Sequence, residues 1–484
     1  MAKLKITGKD IRGIGYPESP VISLAMGLME KHYKHSTLEE ALKILANIKE
    51  SPADHLDHAV LGKIALQLLP KQETAGPELS LNQSGITFSV FGSEGIEAGA
   101  LHQMHTAAKL PIAVAGALMP DAHSGYGLPI GGVLATENAV IPYGVGVDIG
   151  CRMCLSVFDL PVKDLDGKGA FFSRTIQDNT VFGSGGQLAR PADHEVLHSA
   201  AFGEIGLLKG LHAKAWKQLG TSGSGNHFVE FGAVTIDAFD PVLGIPAGTY
   251  VGLLSHSGSR GLGANIANHY TKIAKEQRRL PSDAMNLAWL TLEEEAGIEY
   301  WLAMNLAGDY AAACHHVIHD KVAKALGRRS LRMVENHHNF AWKEQWEGRE
   351  VIVHRKGATP AGVDVLGIIP GSMTAPGFIV KGKGEVASVN SAAHGAGRRM
   401  SRTAALQSIT HSALQEQLRK QGVTLLGAGL DEAPMAYKDI HAVMKAQESL
   451  VEVVGSFQPR IVQMDGSPPK PWMKKGKGAE VEGE

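Results

Sequence analysis

Cysteine is nearly absent from this sequence: of 484 residues, only Cys151, Cys154 and Cys314 are cysteines. So few cysteines exclude a disulfide-stapled fold and are typical of a reducing compartment. Long apolar stretches are also missing, because no uncharged run reaches the roughly 18 residues that a membrane-spanning helix needs. Residues 1–10 lack the apolar segment of a signal peptide. We therefore expect a cytoplasmic protein that does not associate with a membrane.

An excess of charge of either sign is missing too. Lys and Arg total 47 and Asp and Glu total 49, which gives a net charge of −2. A protein that holds a long nucleic acid by charge alone is usually basic, so any nucleic-acid contact here must be local. Hydrophobic residues make up 44% and charged residues 20% of the chain, which is typical of a globular domain.

Glycine is abundant, with 57 residues, and predicts many tight turns and close backbone approaches. Several glycine- or asparagine-rich runs also contain histidine, aspartate or cysteine: Pro120–Gly132, Gly144–Cys151, Gly220–Glu230, His256–Gly261 and Asn336–Asn339. Loops of this kind hold functional side chains on a rigid scaffold.

The run of residues 391–402 combines His394 with a glycine turn and with Arg398, Arg399 and Arg402. Glycine backbone and arginine forks favour phosphate binding. Neutral imidazole is a good nucleophile near pH 7 and can attack phosphorus. The run therefore predicts a phosphate-directed nucleophile, and the alternative is a helix start with an exposed basic face.

Asp148 and Cys151 lie three residues apart among glycines that let the chain bend, so both side chains can converge on one ion. A carboxylate and a thiolate would bind a divalent metal, and histidines from other loops would complete its shell. The best candidates are His227, His256 and His338. Manganese, zinc, iron and cobalt all remain open on this ligand chemistry.

Cys151 and Cys154 also form a C-x-x-C pair, for which a redox pair or a zinc knuckle is an alternative reading. No second such pair accompanies it, and no thioredoxin-type frame surrounds it. We predict instead that Cys154 is buried and structural, and that Cys314 belongs to the core of a helix.

The spacing of apolar residues predicts an α+β fold with mixed sheets and surrounding helices, preceded by a small helical segment. Residues 1–75 form the helical segment, with a capping box at Ser36–Glu39 and a third helix beginning near Leu56. Residues 76–465 form the catalytic body, with a polar linker over 71–85. Residues 466–484 are rich in Gly, Pro, Lys and Glu and are expected to be a disordered tail. Within the body we predict strands at 250–255 and 351–354 and helices at 292–316 and 401–420.

In order along the chain, the motifs resemble those of the RtcB-type RNA-splicing ligases. The resemblance runs from about Ile86 to Met464 and rests on eight blocks: Met119–Gly127, Val147–Cys151, Gly223–Phe228, His256–Gly263, His337–Asn339, His354–Thr359, Pro370–Met373 and His394–Arg398. The chain resembles a divergent paralogue within this family. The resemblance therefore predicts an RtcB-like catalytic body.

The resemblance implies a ligase that joins RNA 3′-phosphate or 2′,3′-cyclic-phosphate ends to 5′-hydroxyl ends, in RNA repair or tRNA splicing. It implies GTP and two Mn²⁺ ions as cofactors, and some members need an activating protein. The residue matching His394 becomes guanylated, and Asp121 matches an active-site acid. The matches imply three further sets: metal ligands at Asp148, Cys151, His227, His256 and His338; GTP contacts at Asn226, Phe228, Glu230, Asn339, Pro370, Gly371, Ser372, Met373, Gly395, Ala396 and Gly397; and RNA phosphate contacts at Arg260, Lys356, Arg398 and Arg402.

The sequence departs from the family around the nucleotide. Met464 stands where the family has a lysine that reaches the nucleotide, and a thioether cannot replace an ammonium donor. Thr374–Gly377 replaces small polar residues, Pro360 replaces a frequent arginine, and the metal motif reads Asp-Ile-Gly-Cys-Arg in place of Asp-Ile-Asn-Cys-Gly. These departures predict a changed nucleotide preference or substrate.

Two other function classes stay open at this stage. A two-metal site of this kind can also cleave cyclic phosphates or phosphodiesters without a nucleotide. A metal-dependent RNA-end binder without turnover is the third class, although a binder has no evident need of a nucleophile such as His394.

Overall fold

The computed structural model describes residues 4–17, 21–69 and 78–466. It forms two compact units, Met1–Ala75 and Gly76–Glu484. The predicted tail lies outside the described residues apart from Gly466, and so do residues 71–77 of the predicted linker. Among the described residues, no helix is both long and apolar enough to span a membrane.

The first unit is helical, with α1 (Gly8–Gly13), α2 (Val21–His32), α3 (Leu38–Glu50) and α4 (Gly62–Leu68). Its core includes Ile11, Met29, Leu45 and Ile64, all with no exposed surface. The predicted capping box is displaced by one residue. Thr37 Oγ1 accepts from the Glu40 amide at 3.2 Å, and the Glu40 carboxylate accepts from the Thr37 amide at 2.8 Å. Such a cap stabilises a helix by about 1 kcal/mol.

The predicted third helix begins later than the periodicity suggested. Pro52 opens a short 3₁₀ helix, Pro52–His55, and the chain then turns. His58 Nδ1 accepts from the amides of Val60 and Leu61, each at 3.2 Å. These bonds hold residues before Gly62 out of the helix, so the prediction of a helix from Leu56 was wrong.

The second unit is α+β, as predicted from the sequence. Its helices are α5 (Ala98–Ala108), α6 (Pro142–Val145), α7 (Lys163–Gly167), α8 (Gly169–Asn179), α9 (Ala201–Glu204), α10 (Gly206–Gln218), α11 (Arg260–Gln277), α12 (Glu295–Leu326), α13 (Arg402–Ser408), α14 (His411–Gln421) and α15 (Ile440–Ala446). Its strands are β1 (Ser89–Val90), β2 (Ala113–His123), β3 (Ile130–Thr136), β4 (Ala139–Val140), β5 (Arg152–Phe158), β6 (Phe228–Ile236), β7 (Gly248–Ser257), β8 (Leu290–Thr291), β9 (Arg332–His337), β10 (Asn339–Trp346), β11 (Arg349–Lys356), β12 (Ala358–Pro360), β13 (Leu366–Ile369), β14 (Gly377–Gly382), β15 (Ser391–Ala393), β16 (Thr424–Gly427) and β17 (Val451–Met464).

Two large mixed sheets organise this unit. One has the order β1-β2-β3-β11-β10, and the other has the order β13-β14-β17-β6-β7-β5-β9, with β16 beside β17. Strands β3 and β5 are buried at every position. Full burial on both faces explains why neither strand alternates regularly between apolar and polar residues. The strands predicted at 250–255 and 351–354 lie within β7 and β11, which confirms both.

Two predicted helices need correction. The helix expected to end near residue 316 continues as α12 to Leu326, because Gly327 adopts the left-handed conformation that caps it (φ 64°). The helix expected over 401–420 is divided into α13 and α14. Thr410 starts the second helix, since its side chain accepts from the Ala413 amide at 3.2 Å.

The buried His354 predicts a pH-dependent stability. Its Nε2 accepts from the Ile141 amide at 2.9 Å and its Nδ1 donates to Leu134 O at 3.1 Å. Burial lowers the pKa of His354 to about 4 from 6.5. Between pH 4 and pH 6.5, His354 therefore binds a proton in the unfolded chain but not in the folded chain. Stability contributed by the neutral ring is complete above pH 6.5 and falls by about 3 kcal/mol as pH drops to 4.

We expect His354→Gln to be less stable than the unsubstituted protein at pH 7.5, with a difference that shrinks as pH falls. Thermal unfolding of both proteins from pH 7.5 to 4.5 measures it. A difference that stays constant over this range would show that folding does not lower the pKa of this ring.

Candidate active site

Strand ends of the larger sheet bring the predicted metal residues together. Cys151 immediately precedes β5, and His256 lies near the end of β7, where its backbone pairs with Met153. Strand β9 pairs with the other edge of β5 and ends at His337, so that His338 follows next to Cys151. His227 precedes β6, whose first residue, Phe228, pairs with His256. The register of these strands thus brings together, at one end of the strands, side chains that are far apart in sequence.

The gathered side chains form a tight, buried group. Cys151 Sγ lies 3.1 Å from His256 Nε2 and 3.4 Å from His227 Nε2. His256 Nε2 lies 3.2 Å from His338 Nε2, and Asp148 Oδ2 lies 3.0 Å from His227 Nε2. None of these five residues is more than 8% exposed. The convergence of Asp148 and Cys151 expected from the sequence is therefore present.

This donor set fits a divalent metal ion. His256 Nδ1 donates to Asn226 O at 3.2 Å, which leaves the lone pair on Nε2, facing Cys151 and His338. Burial lowers the pKa of His338 well below its ordinary value, so that ring is neutral. His338 Nδ1 is buried with no hydrogen-bond partner among the residues that the structure describes. Converging neutral imidazoles, a carboxylate and a cysteine that would bind as the thiolate are ligands that Mn²⁺, Zn²⁺, Fe²⁺ or Co²⁺ accept.

Asp148 is ionised in this site. Burial opposes the charge, but the hydrogen bond and charge of His227 and the nearby Arg260 guanidinium outweigh it and hold the pKa of Asp148 below its usual range. Arg260 Nη2 lies 2.8 Å from His227 Nδ1 and 3.8 Å from Asp148 Oδ2. A side chain at Gly258 would collide with the Asp148 carboxylate, so glycine is required where the loop passes the metal group.

His394 is held by Asp121 at the edge of the same site. His394 Nδ1 donates to Asp121 Oδ2 at 2.6 Å, and the same oxygen accepts from the His394 amide at 3.1 Å. This contact places the proton on Nδ1 and the lone pair on Nε2. The His394 ring lies 4.8 Å from the His338 ring, centroid to centroid. Gly397 has a φ of +70° and passes so close to the Asp121 backbone that no side chain would fit there.

A cavity opens beside His394 and the metal group. It is lined by ten of the predicted nucleotide-contact residues: Asn226, Phe228, Glu230, Pro370, Gly371, Ser372, Met373, Gly395, Ala396 and Gly397. Asn339 is not among the lining residues; its Oδ1 accepts from the Gly357 amide at 2.8 Å. Burial raises the pKa of Glu230 well above its usual range, so its carboxyl can present a proton as well as accept one.

The four cationic side chains predicted to contact RNA phosphates have different surroundings. Arg398 lines the cavity and Arg260 contacts the metal group. Arg402 bonds the Asp431 carboxylate at 2.9 Å, and Lys356 Nζ donates to Tyr126 O at 2.6 Å. Neither Arg402 nor Lys356 lines the cavity.

Sequence reasoning did not single out several cavity residues, among them Glu432, Tyr437 and Phe457. Tyr437 donates to Glu432, and the Arg398 guanidinium lies 5.3 Å above the Tyr437 ring. The available signal was a tyrosine five residues after the acidic pair Asp431 and Glu432.

Comparisons with known proteins show the family to which this chain is related. The family model described as "tRNA-splicing ligase RtcB" matches residues 103–205 and 206–465. The RNA-splicing ligase RtcB of Escherichia coli (strain K12) is 35% identical over 393 residues, covering 74% of this chain and 92% of that protein. The tRNA-splicing ligase RtcB of Thermococcus kodakarensis is 30% identical over 415 residues, covering 71% of this chain and 86% of that protein. The resemblance seen in the motifs is thereby confirmed, and the chain belongs to the RtcB family.

Proposed function

We propose that this protein is a GTP- and Mn²⁺-dependent RNA ligase that joins 3′-phosphate or 2′,3′-cyclic-phosphate ends to 5′-hydroxyl ends through a guanylated His394. The observation that carries the proposal is the Asp121–His394 pair beside both a buried metal-type group and the cavity. The names of the relatives, RNA-splicing and tRNA-splicing ligases, supply the RNA substrate class. RNA repair or tRNA splicing in the cytoplasm is the proposed setting.

In the first half-reaction, His394 Nε2 attacks the α-phosphorus of the bound GTP. A P–N bond forms, the bond to the β-phosphate oxygen breaks, and pyrophosphate leaves with the electron pair. Asp121 keeps the proton on Nδ1 and stabilises the positive charge that develops on the ring. A covalent intermediate divides one difficult displacement into two easier ones.

In the second half-reaction, an oxygen of the RNA 3′-phosphate displaces His394 and takes the GMP group. A cyclic phosphate is first opened by water to the 3′-phosphate. The 5′-hydroxyl of the second RNA then attacks the activated 3′-phosphate, and GMP leaves. Arg260 and Arg398 lie at the metal group and the cavity, where guanidinium groups can stabilise negative charge on phosphate oxygens.

We propose that Asp148, Cys151, His227, His256 and His338 are the residues that would hold two Mn²⁺ ions. Bound metal would neutralise the phosphates and orient the leaving group. Cys151 has a central position, because its sulfur contacts both His227 and His256.

Replacing Cys151 with serine should therefore weaken metal binding strongly. We expect a loss in Mn²⁺ affinity of more than roughly 100-fold, since changes in outer-shell partners alone cost about 10- to 100-fold. Electron paramagnetic resonance of free Mn²⁺ measures the affinity. Cys314→Ala is the matched control, because Cys314 is also buried but lies outside the group. Unchanged affinity in Cys151→Ser would remove this residue from the metal site.

Intact-protein mass spectrometry tests the proposal as a whole. The protein is incubated with Mn²⁺ and each of the four ribonucleoside triphosphates, and a gain of one GMP is the expected result. A different nucleotide would mean that the cavity selects another base. No adduct with any nucleotide would contradict the ligase proposal.

The part of the cavity near Met464 motivates one further variant in the mass-spectrometry experiment. Met464 is 5% exposed and packs with Met373 and Val462. Its thioether offers a nucleotide base no ammonium donor. Met464→Lys should raise the yield of the guanylate adduct, and Met464→Leu is the control that keeps the apolar surface.

A second candidate function, metal-dependent hydrolysis of RNA cyclic phosphates, has one observation in its favour. The Met464 end of the cavity is apolar, which weakens the case for recognition of a base there. Release of phosphate from a 2′,3′-cyclic end without GTP, with no ligation after GTP is added, would support hydrolysis.

A further inference from the structure

A second buried group of cysteine and histidine lies on the opposite face of β7 from the cavity. Side chains alternate along a strand, so His256 faces the metal group while Ser255 and Ser257 face α12. This helix presents His315 and His319 toward β7, one turn apart. Cys154, His315 and His319 have ligand atoms within 4.8 Å of one another, and all three are at most 2% exposed.

Hydrogen bonds connect these residues into a single chain, which we call the serine–histidine relay: Ser156, His319, Ser255, His315 and the carbonyl of Ser257. Ser156 Oγ lies 2.7 Å from His319 Nδ1. Ser255 Oγ lies 2.8 Å from His319 Nε2 and 2.6 Å from His315 Nδ1. His315 Nε2 lies 3.1 Å from Ser257 O.

Only one arrangement of protons satisfies every contact with neutral rings. The Ser257 carbonyl can only accept, so His315 Nε2 donates to it and His315 Nδ1 carries the lone pair. The Ser255 hydroxyl must then donate to His315 and accept from His319 Nε2, and the Ser156 hydroxyl donates to His319 Nδ1. Burial lowers the pKa of His319 to about 3, which agrees with a neutral ring.

A metal ion does not fit this second group as it stands. The Ser255 hydroxyl occupies the space between the two ring nitrogens and bonds both. Burial also raises the pKa of Cys154 well above its ordinary value, so its sulfur stays a protonated thiol and not the thiolate that metals prefer. The relay is therefore complete without an ion.

We infer that the serine–histidine relay positions His256 for the metal group, by fixing the backbone on both sides of it from the α12 face. Ser255 and Ser257 are the neighbours of His256, and each is bonded to α12 through the relay. Ser257 Oγ is further held by Ser222 O at 3.0 Å, next to the loop that carries His227. This inference rests on the proposed role of His256 as a metal ligand.

The test measures Mn²⁺ affinity and the Co²⁺ absorption spectrum of the full chain. Ser255→Ala breaks the relay at its centre, and we expect Mn²⁺ affinity to fall about tenfold, as for other outer-shell supports, with altered Co²⁺ d–d bands. Ser156→Ala breaks the relay at its far end and should have a smaller effect in the same direction. These readouts report ligand geometry, which a loss of stability alone does not change.

Val322→Ala is the matched control, because Val322 is buried on α12 but is outside the relay. It should lower thermal stability while leaving Mn²⁺ affinity and the Co²⁺ spectrum unchanged. The inference is overturned if Ser255→Ala retains both metal properties, or if Val322→Ala weakens Mn²⁺ binding as much. Loss of one bound ion in Cys154→Ser would also overturn it, by showing a metal in the relay.

These outcomes are separable from the ligase proposal. If the unsubstituted protein binds Mn²⁺ and the relay variants behave as expected but no nucleotide forms an adduct, the relay stands and the ligase proposal fails. If the unsubstituted protein binds neither Mn²⁺ nor Co²⁺, both fail.

Discussion

His394→Asn should form no covalent adduct with any ribonucleoside triphosphate and should seal no RNA. The physical reason is that the lone pair on His394 Nε2 is the nucleophile, and an amide side chain has no comparable lone pair. Mn²⁺ affinity should stay close to that of the unsubstituted protein, because His394 lies beside the metal group and not among its proposed ligands. Intact mass and ligation of a 3′-phosphate RNA to a 5′-hydroxyl RNA measure the two activities.

The matched control is His411→Asn, which makes the same substitution at an exposed residue at the start of α14. It should form the adduct at the usual rate. A full adduct on His394→Asn would move the nucleophile to another side chain, and peptide mapping would then locate it. Retained ligation without an adduct would contradict the covalent route altogether.

Asp121→Asn should slow adduct formation by on the order of 10²- to 10⁴-fold while leaving nucleotide binding largely intact. The substitution preserves size but removes the charge that Asp121 Oδ2 brings within 2.6 Å of His394 Nδ1. If the new amide accepts from His394, the charge that stabilises the reacting ring is lost. If it donates instead, the proton moves to Nε2 and the nucleophilic lone pair is gone.

Single-turnover adduct formation at saturating GTP measures this rate, and the affinity for GTP is measured separately. Asp159→Asn, at an exposed site, is the control. Should Asp121→Asn weaken GTP binding without slowing the chemical step, Asp121 would only shape the loop around His394.

Local sequence was sufficient for the parts of the site that depend on residue chemistry and chain flexibility. Glycines around Asp148 and Cys151 predicted their convergence, and the pair does meet at His227. The setting of His394 among glycines and arginines predicted a phosphate-directed nucleophile, which stays a prediction until the adduct is tested. Helix ends were less predictable, since α12 ends where Gly327 adopts a left-handed conformation and not where the apolar pattern weakens.

What the sequence by itself determined was the α+β class, the family and the set of chemically capable side chains. Tertiary structure alone decided their partners. Strand register placed His256 and His338 near Cys151. Arg402 forms an ion pair with Asp431, which is distant in sequence. Helix α12 places two buried histidines within hydrogen-bond distance of Ser255. The reason is that a side chain's type and nearest neighbours are local properties. A hydrogen bond or a shared ion requires two groups within about 3 Å, and only the packing of distant segments creates that distance.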